Sequence, residues 1–195
     1  MSEDIELSPF RLQRQKFFQP LWPGEDKPLV FGEGNATQPP LMLIGEAPGE
    51  TEVIKRRPFV GKAGKNLDEF LTLMGMNRED IFISNVVKIR PTEVGPTGRL
   101  RNRAPGKEEL ALFTPFLMEE ILLVQPQMIV TLGNVALKAL LGKQAVIGAY
   151  HGQVTQASVQ GQVFSVFPLY HPASVIYNPS LKEVYRADVV RLGEE

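Results

Sequence analysis

Three polar side chains stand where apolar stretches of the chain stop, and each is of a type that does chemistry. Glu46 follows the apolar run at 41–44, inside Gly45-Glu46-Ala47-Pro48-Gly49, and Asn85 and His171 close two later apolar stretches. A carboxylate in such a loop is compatible with metal or phosphate chemistry. An amide both donates and accepts hydrogen bonds, which suits the edge of a base. The alternatives are a turn former at Asn85 and a structural histidine at His171.

Alternating strand and helix patterns predict the scaffold that positions these side chains. Short apolar stretches typical of buried strands occur at 41–45, 80–87, 128–132, 154–158 and 162–167. Helical spacing of apolar residues occurs at 63–74, 107–124, 135–141 and 180–192. This alternation favours an α/β fold with a mostly parallel sheet covered on both faces. The carboxyl ends of parallel strands share one edge, so we expect Glu46, Asn85 and His171 to meet there.

Composition limits the class of protein. The chain has 195 residues, 43% hydrophobic and 22% charged, which indicates one globular domain, 1–195, with an N-terminal extension at 1–28 packed on the core. No apolar run approaches the roughly 20 residues that span a bilayer, and the acidic N-terminus is unlike a signal peptide. We therefore expect a cytoplasmic protein. With two histidines and no cysteine, an imidazole or thiolate metal site is not expected, although a carboxylate magnesium site stays open.

Several motifs resemble those of the family 4 uracil-DNA glycosylases, in the same order along the chain. The opening motif is Gly45-Glu46-Ala47-Pro48-Gly49 with Arg57-Pro58-Phe59-Val60-Gly61-Lys62-Ala63-Gly64. The later motifs are Ser84-Asn85-Val86-Val87-Lys88 with Arg90-Pro91, Asn102-Arg103-x-Pro105, Thr131-Leu132-Gly133-Asn134-x-Ala136 and His171-Pro172-Ala173. The resemblance spans residues 29–192. It implies a three-layer αβα sandwich around a central, mostly parallel four-stranded sheet.

The resemblance also implies an activity and the residues that perform it. Members of the family flip uracil out of DNA and hydrolyse its N-glycosidic bond, as the first step of base excision repair. It implies that Phe59 stacks on the uracil, that Asn85 hydrogen-bonds its Watson–Crick edge, and that Ala47 also contacts it. Glu46 would position or activate the attacking water, and His171 would stabilise negative charge on the departing base. Two neighbouring carboxylates, Glu50 and Glu52, stay open as partners or substitutes for Glu46.

Contacts to the DNA itself are carried over from the same motifs. Backbone amides around Gly61 and Gly64, with Lys62, would hold phosphates at a helix N-terminus, and Ser174 would hold another. An apolar side chain at Val175 or Ile176 would fill the gap that the flipped base leaves. We expect uracil-containing DNA as the partner, no membrane, and a monomer.

One departure from the family concerns its [4Fe–4S] cluster, which requires four cysteine thiolates. This chain has no cysteine, and Ile89 and Phe113 stand where the resemblance places two of the ligands. We expect no cofactor, with apolar packing by Ile89, Phe113 and N-terminal aromatics in its place. The sequence also predicts a loop at 91–106, and its part from Thr92 to Leu100 is longer than usual for the family. Two alternative functions stay open: a catalytically inactive DNA- or base-binding protein, and a glycosylase with altered base preference.

Overall fold

A computed structural model describes residues 7–23, 27–178 and 180–195, and eight strands lie within these ranges. The strands are β1 (Glu33–Gly34), β2 (Leu41–Gly45), β3 (Phe82–Asn85), β4 (Thr92–Val94), β5 (Leu100–Asn102), β6 (Met128–Leu132), β7 (Thr155–Val159) and β8 (Gln162–Leu169). Six of them form one sheet in the order β1-β3-β2-β6-β8-β7, and β4 and β5 form a separate hairpin. The four inner strands of the sheet are parallel, while β1 and β7 pair antiparallel at its edges.

Helices cover both faces of this sheet. They are α1 (Leu7–Phe18), α2 (Glu50–Lys55), α3 (Lys62–Leu73), α4 (Lys107–Val124), α5 (Asn134–Leu141), α6 (Ile147–Tyr150), α7 (Pro172–Tyr177) and α8 (Leu181–Leu192). Met42 and Ile44 of β2 join the apolar cluster beneath α1 and α4, whereas Leu41 and Leu43 join the cluster beneath α3 and α8. Side chains alternate along a strand, so β2 is buried on both faces. In the described ranges no helix has the length and apolarity to cross a membrane.

The predicted α/β fold class is confirmed, with helices on both sides of a mostly parallel sheet. The sheet has six strands rather than four. The two antiparallel edge strands make the difference: β1 is two residues long, too short for a periodic pattern, and β7 joins β8 as a hairpin. The stretch at 91–106 is not simply a loop, because it contains the β4–β5 hairpin. The helices predicted at 63–74, 107–124, 135–141 and 180–192 are confirmed to within one residue at each end.

An aromatic cluster joins the N-terminal helix to α4. Phe18, at the end of α1, is 1% exposed and stacks on Phe113 with ring centroids 4.6 Å apart. Phe116 meets Phe18 edge-on at 4.5 Å, and Ile89 is buried in the same cluster. These contacts hold the described part of the N-terminal segment against α4. Residues 1–6 and 24–26 of the predicted extension at 1–28 lie outside the described ranges.

Candidate active site

The register of the parallel strands brings three strand ends to one edge of the sheet. Gly45 pairs with Asn85 in the β2–β3 ladder, so Glu46 follows at the level where β3 ends. The chain reaches His171 two residues after the end of β8. A cleft of about 330 Å³ lies at this edge, and its lining includes both Glu46 and His171. Three larger cavities, of about 570, 580 and 440 Å³, are lined by neither residue.

Phe59 and Asn85 lie buried against the glycine that ends β2. They are 5% and 2% exposed. A Cβ atom on Gly45 would lie 2.4 Å from Cζ of Phe59 and 2.5 Å from Oδ1 of Asn85, so only glycine leaves room for both side chains. The Phe59 ring is also 6.0 Å from the His171 ring, centroid to centroid. The described lining of the cleft includes neither Phe59 nor Asn85, so a ligand must pass beyond this cleft to reach them.

The backbone of Phe59 is held in an unusual conformation. Its φ of 52° lies in the left-handed region, which is uncommon for residues other than glycine. The Arg78 guanidinium donates a hydrogen bond of 2.6 Å to the carbonyl of Phe59. A Cβ atom on Gly64 would lie 1.9 Å from that same carbonyl oxygen. The spacing from Phe59 to Gly64 in the motif is therefore required by the close approach of α3 to the Phe59 loop.

The hydrogen bonding of His171 defines its tautomer. The backbone N–H of Ala173 donates to Nδ1 of His171 at 3.1 Å, so Nδ1 carries a lone pair. Burial lowers the pKa of His171 to about 4, which keeps the ring neutral at pH 7. A neutral imidazole with a lone pair on Nδ1 carries its proton on Nε2. His171 is thus a fixed, uncharged donor at the edge of the cleft.

Glu46 and its two neighbouring carboxylates have different environments. Glu46 is half-buried, and burial raises the pKa of its carboxyl above the usual 4.5. Glu52 accepts a hydrogen bond of 2.7 Å from the Gly61 amide, and Glu50 lies 3.1 Å from the Arg90 guanidinium. The cleft is lined by Glu46 but by neither of the other two. The geometry therefore favours Glu46 as the working carboxylate, with Glu52 holding the loop.

Two backbone amides at the start of α3, which were expected to bind phosphate, donate hydrogen bonds to acceptors within the protein instead. The Gly61 amide donates to Glu52, and the Gly64 amide donates to the carbonyl of Gly61 at 3.1 Å. Lys62, between them, has an exposed side chain. The Lys62 ammonium is therefore better placed for a phosphate than these two amides.

The segment after His171 forms the short helix α7. Ser174 lines the cleft, and its amide donates to the His171 carbonyl at 2.8 Å. Val175 is half-buried and packs against the cluster beneath α3 and α8. The side chain of Ile176, the other predicted wedge, lies outside the described part of the structure. Ser174 and Ala47 thus line the cleft, whereas Val175 lines a different cavity, the one of about 580 Å³.

A buried charge pair behind Asn85 escaped sequence reasoning. Lys88 is 2% exposed, and its ammonium donates to Glu120 at 2.7 Å, to the Ser84 hydroxyl at 2.6 Å and to the Asn85 carbonyl at 2.8 Å. The Ser84 hydroxyl donates to Glu120 as well, at 2.7 Å. A glutamate on the apolar face of a predicted helix and a lysine just after a predicted buried strand are the signals that could have indicated this pair.

Two hairpin-side residues, Asn102 and Arg103, also line the cleft. The Arg90 Nε donates to Oδ1 of Asn102 at 2.7 Å, and the Arg103 guanidinium binds Glu109 at 2.6 and 2.8 Å. The motif Asn102-Arg103-x-Pro105 contributes to the family resemblance without assigning either residue a role in catalysis. They extend the cleft toward the β4–β5 hairpin.

The residues present do not fit an iron–sulfur cluster, since that cluster requires thiolates and the chain has no cysteine. Ile89 and Phe113, where two ligands would stand, are instead buried in apolar contact. Among the described residues, no group of three or more His, Cys, Asp or Glu side chains could hold a metal ion.

Comparisons of sequence and of fold identify known proteins that are similar to this chain. A family model described as the uracil DNA glycosylase superfamily matches residues 31–191. The type-4 uracil-DNA glycosylase of Saccharolobus solfataricus is 38% identical over 173 residues, covering 86% of this chain and 76% of that protein. That of Thermotoga maritima is 37% identical over 164 residues, covering 83% and 79%. The crystal structure of Pedobacter heparinus SMUG2 aligns with a TM-score of 0.52 at 13% identity, covering 80% of this chain and 74% of that one, which is a likeness of fold.

Proposed function

This chain belongs to the uracil-DNA glycosylase superfamily, and from that premise we propose that it removes uracil from DNA by hydrolysing the N-glycosidic bond. The product is an abasic site, the entry point to base excision repair. The observation that carries the proposal is the convergence of Glu46, Asn85 and His171, with Phe59, at the carboxyl edge of the sheet. We propose that the single domain at 1–195 carries this activity.

Recognition of uracil follows from the chemistry of Phe59 and Asn85. The base must leave the stack, since its reacting bond and edge are inaccessible in the duplex. The Phe59 ring offers a face for stacking, and contacts of this kind contribute about 1–3 kcal/mol per base in single-strand binders. Uracil presents an acceptor at O4 and a donor at N3, which complement the amide NH₂ and carbonyl of Asn85. Cytosine presents the reverse pattern, so a fixed Asn85 discriminates against it.

Bond cleavage follows from His171 and Glu46. As the C1′–N1 bond breaks, its electron pair goes to uracil, and negative charge gathers on the base and on its O2. The Nε2–H of neutral His171 donates to that developing charge, an electrostatic role that requires no proton transfer. Glu46 orients a water molecule toward C1′, accepts its proton and stabilises the cationic sugar. The hydroxyl completes the abasic sugar, and the proton ends on uracil.

DNA contacts are proposed for the residues around the cleft. The Lys62 ammonium is exposed at the start of α3, and Ser174 lines the cleft, so both can reach backbone phosphates. Because the Gly61 and Gly64 amides already donate hydrogen bonds within the protein, we propose that these two residues position Lys62 and do not bind phosphate themselves. The wedge assigned to Val175 or Ile176 stays a prediction, as do the monomeric state and the cytoplasmic location.

We also propose that the enzyme works without a cofactor. The stacked rings of Phe18 and Phe113, together with buried Ile89, support this by filling the region where the family's cluster ligands would stand. Apolar packing in this region holds the N-terminal segment against α4, which is the stabilising role that the cluster would otherwise have. The purified protein should accordingly be colourless, and a broad absorbance near roughly 400 nm would contradict this part of the proposal.

A strand-cleavage assay tests the activity. The purified protein is incubated with single- and double-stranded oligonucleotides that carry one deoxyuridine, and abasic sites are then cleaved with alkali. We expect breaks at the uracil position only. Breaks at another base would instead indicate altered base preference. Binding without breaks in any context would indicate the inactive DNA-binding alternative.

A further inference from the structure

The β4–β5 hairpin carries an exposed apolar pair on the same face as a residue of the cleft. Val94 pairs with Leu100 across the hairpin, and Thr92 pairs with Asn102 two residue pairs nearer its base. Because side chains alternate along a strand, Val94, Leu100 and Asn102 lie on one face. Asn102 lines the cleft. Val94 and Leu100 are 70% and 61% exposed, so the apolar part of this face is open to solvent.

The base of the hairpin is fixed while its tip projects. The Arg103 amide donates to the Pro91 carbonyl at 3.1 Å, and Arg103 Nε donates to the Thr92 carbonyl at 3.1 Å. The ion pair between Arg103 and Glu109 then ties this base to α4. A hairpin of three residue pairs is only marginally stable by itself. The contacts at its base therefore determine how the hairpin is oriented relative to the rest of the protein. The apolar face is therefore held in position relative to the cleft.

The arginines of the hairpin indicate which kind of partner its apolar face would bind. Between residues 92 and 103 the chain has three arginines and one glutamate, and Glu109 of α4 offsets a second arginine, Arg103, so an excess of one positive charge remains. Arg99 is exposed beside the turn, and Arg101 pairs with Glu93 on the face opposite to Leu100. An apolar face bordered by arginine suits a nucleic acid, whose sugars and base faces are apolar and whose phosphates are anionic.

We propose that this face of the hairpin, formed by Thr92, Val94, Leu100 and Asn102, is a second DNA-contact surface. Val94 and Leu100 contact sugars or bases flanking the flipped nucleotide, and Arg99 contacts a phosphate. Two residues along an extended strand advance about 7 Å, so Leu100 reaches about two base steps beyond Asn102 at the cleft. The inference rests on the proposed function, since it uses the cleft as the position of the reacting nucleotide.

Binding to an uncleaved substrate tests this surface. The probe is a fluorescein-labelled duplex with one 2′-fluoro-deoxyuridine, whose fluorine slows glycosidic cleavage, and the readout is anisotropy. The variant Val94→Thr/Leu100→Thr places a β-branched residue, which favours a strand, at both positions while removing most of their apolar surface. We expect its Kd to rise about fivefold or more, with single-turnover cleavage at saturating protein within about twofold of wild type.

A matched control and a charge variant complete the experiment. Val163 and Val190 are 61% and 59% exposed and line none of the cleft, so Val163→Thr/Val190→Thr should bind like wild type. Arg99→Gln should reduce the slope of log K against log salt by about 0.9, the loss of one phosphate contact. Wild-type behaviour of either hairpin variant would overturn the proposal while leaving the glycosylase assignment intact. A wild-type protein that neither binds this DNA nor cleaves deoxyuridine would overturn the proposed function instead.

Discussion

The side-chain ammonium of Lys88 donates a hydrogen bond of 2.8 Å to the main-chain carbonyl of Asn85. The same ammonium binds Glu120 of α4 and the Ser84 hydroxyl, so all three of its protons are used. Lys88 and Glu120 are 2% and 1% exposed. The end of β3, which presents Asn85, is thereby tied to α4 by a buried charge pair.

Replacing Lys88 by methionine should destabilise the protein, because buried Glu120 would lose its cationic partner and keep only the hydrogen bond from the Ser84 hydroxyl. Breaking a buried pair in this way costs about 3–5 kcal/mol of the free energy of unfolding. The double variant Lys88→Met/Glu120→Leu removes both charges and should recover most of that loss. Urea denaturation of the three proteins measures these differences. A single variant as stable as wild type would show that the pair contributes nothing to the fold.

Replacing Gly45 by alanine should damage the active site more than the fold. The new methyl group would meet both the Phe59 ring, at 2.4 Å, and the Asn85 amide, at 2.5 Å. Overpacking of this kind costs about 1–3 kcal/mol of stability, whereas a displacement of about 1 Å at a site can reduce the rate about 100-fold. Single-turnover uracil excision measures the effect. Gly148→Ala, where a Cβ meets open space, is the control and should keep the wild-type rate.

His171 should make stability depend on pH. Burial lowers its pKa in the folded protein to about 4 from 6.5, so between these values the unfolded chain binds a proton that the folded protein does not. Stability therefore falls as the pH drops from 6.5 toward 4, by up to about 3 kcal/mol. His171→Gln lacks this titration and should show a smaller loss over the same range. Equal losses in the two proteins, measured by urea midpoints, would contradict the neutral histidine.

The pH dependence of catalysis should reflect Glu46. Burial raises the pKa of its carboxyl, and the reaction needs the carboxylate, so activity should decline on the acid side at a pH above 4.5. Neutral His171 adds no loss of activity as the pH rises through 6.5. Glu46→Gln should lose most activity and the acid limb with it. Activity that instead falls as pH rises from roughly 6 to 8 would indicate a protonated histidine in the mechanism.

The sequence predicted the parallel core and the strand-end positions of Glu46, Asn85 and His171, because short apolar runs and helical periodicity are strong local signals. It did not predict β1, which is defined by pairing with β3 rather than by its own two residues. Nor could it separate Glu46 from Glu52. The hydrogen bond from Gly61 to Glu52 joins residues nine positions apart through a loop whose path only the fold determines.

The hydrogen-bond network of Lys88 and Glu120 could not be predicted from the sequence either, because it joins residues far apart in the chain. Lys88 and Glu120 lie 32 residues apart in the chain, and neither residue has a periodic signal that names the other as its partner. The αL conformation of Phe59 was likewise not predictable, since it depends on Arg78 and on the close approach of Gly64.

The most direct measurement is the rate at which free uracil is released from DNA under single-turnover conditions. Asn85→Ala removes the amide that reads the base, and His171→Ala removes the donor to the departing uracil. Gln156→Ala, exposed on β7 at the far edge of the sheet, is the control. We predict release by wild type and by Gln156→Ala at the same rate, with each site variant slower by about 100-fold or more. Wild-type rates in Asn85→Ala and His171→Ala, or no uracil released by the wild-type protein, would contradict the account.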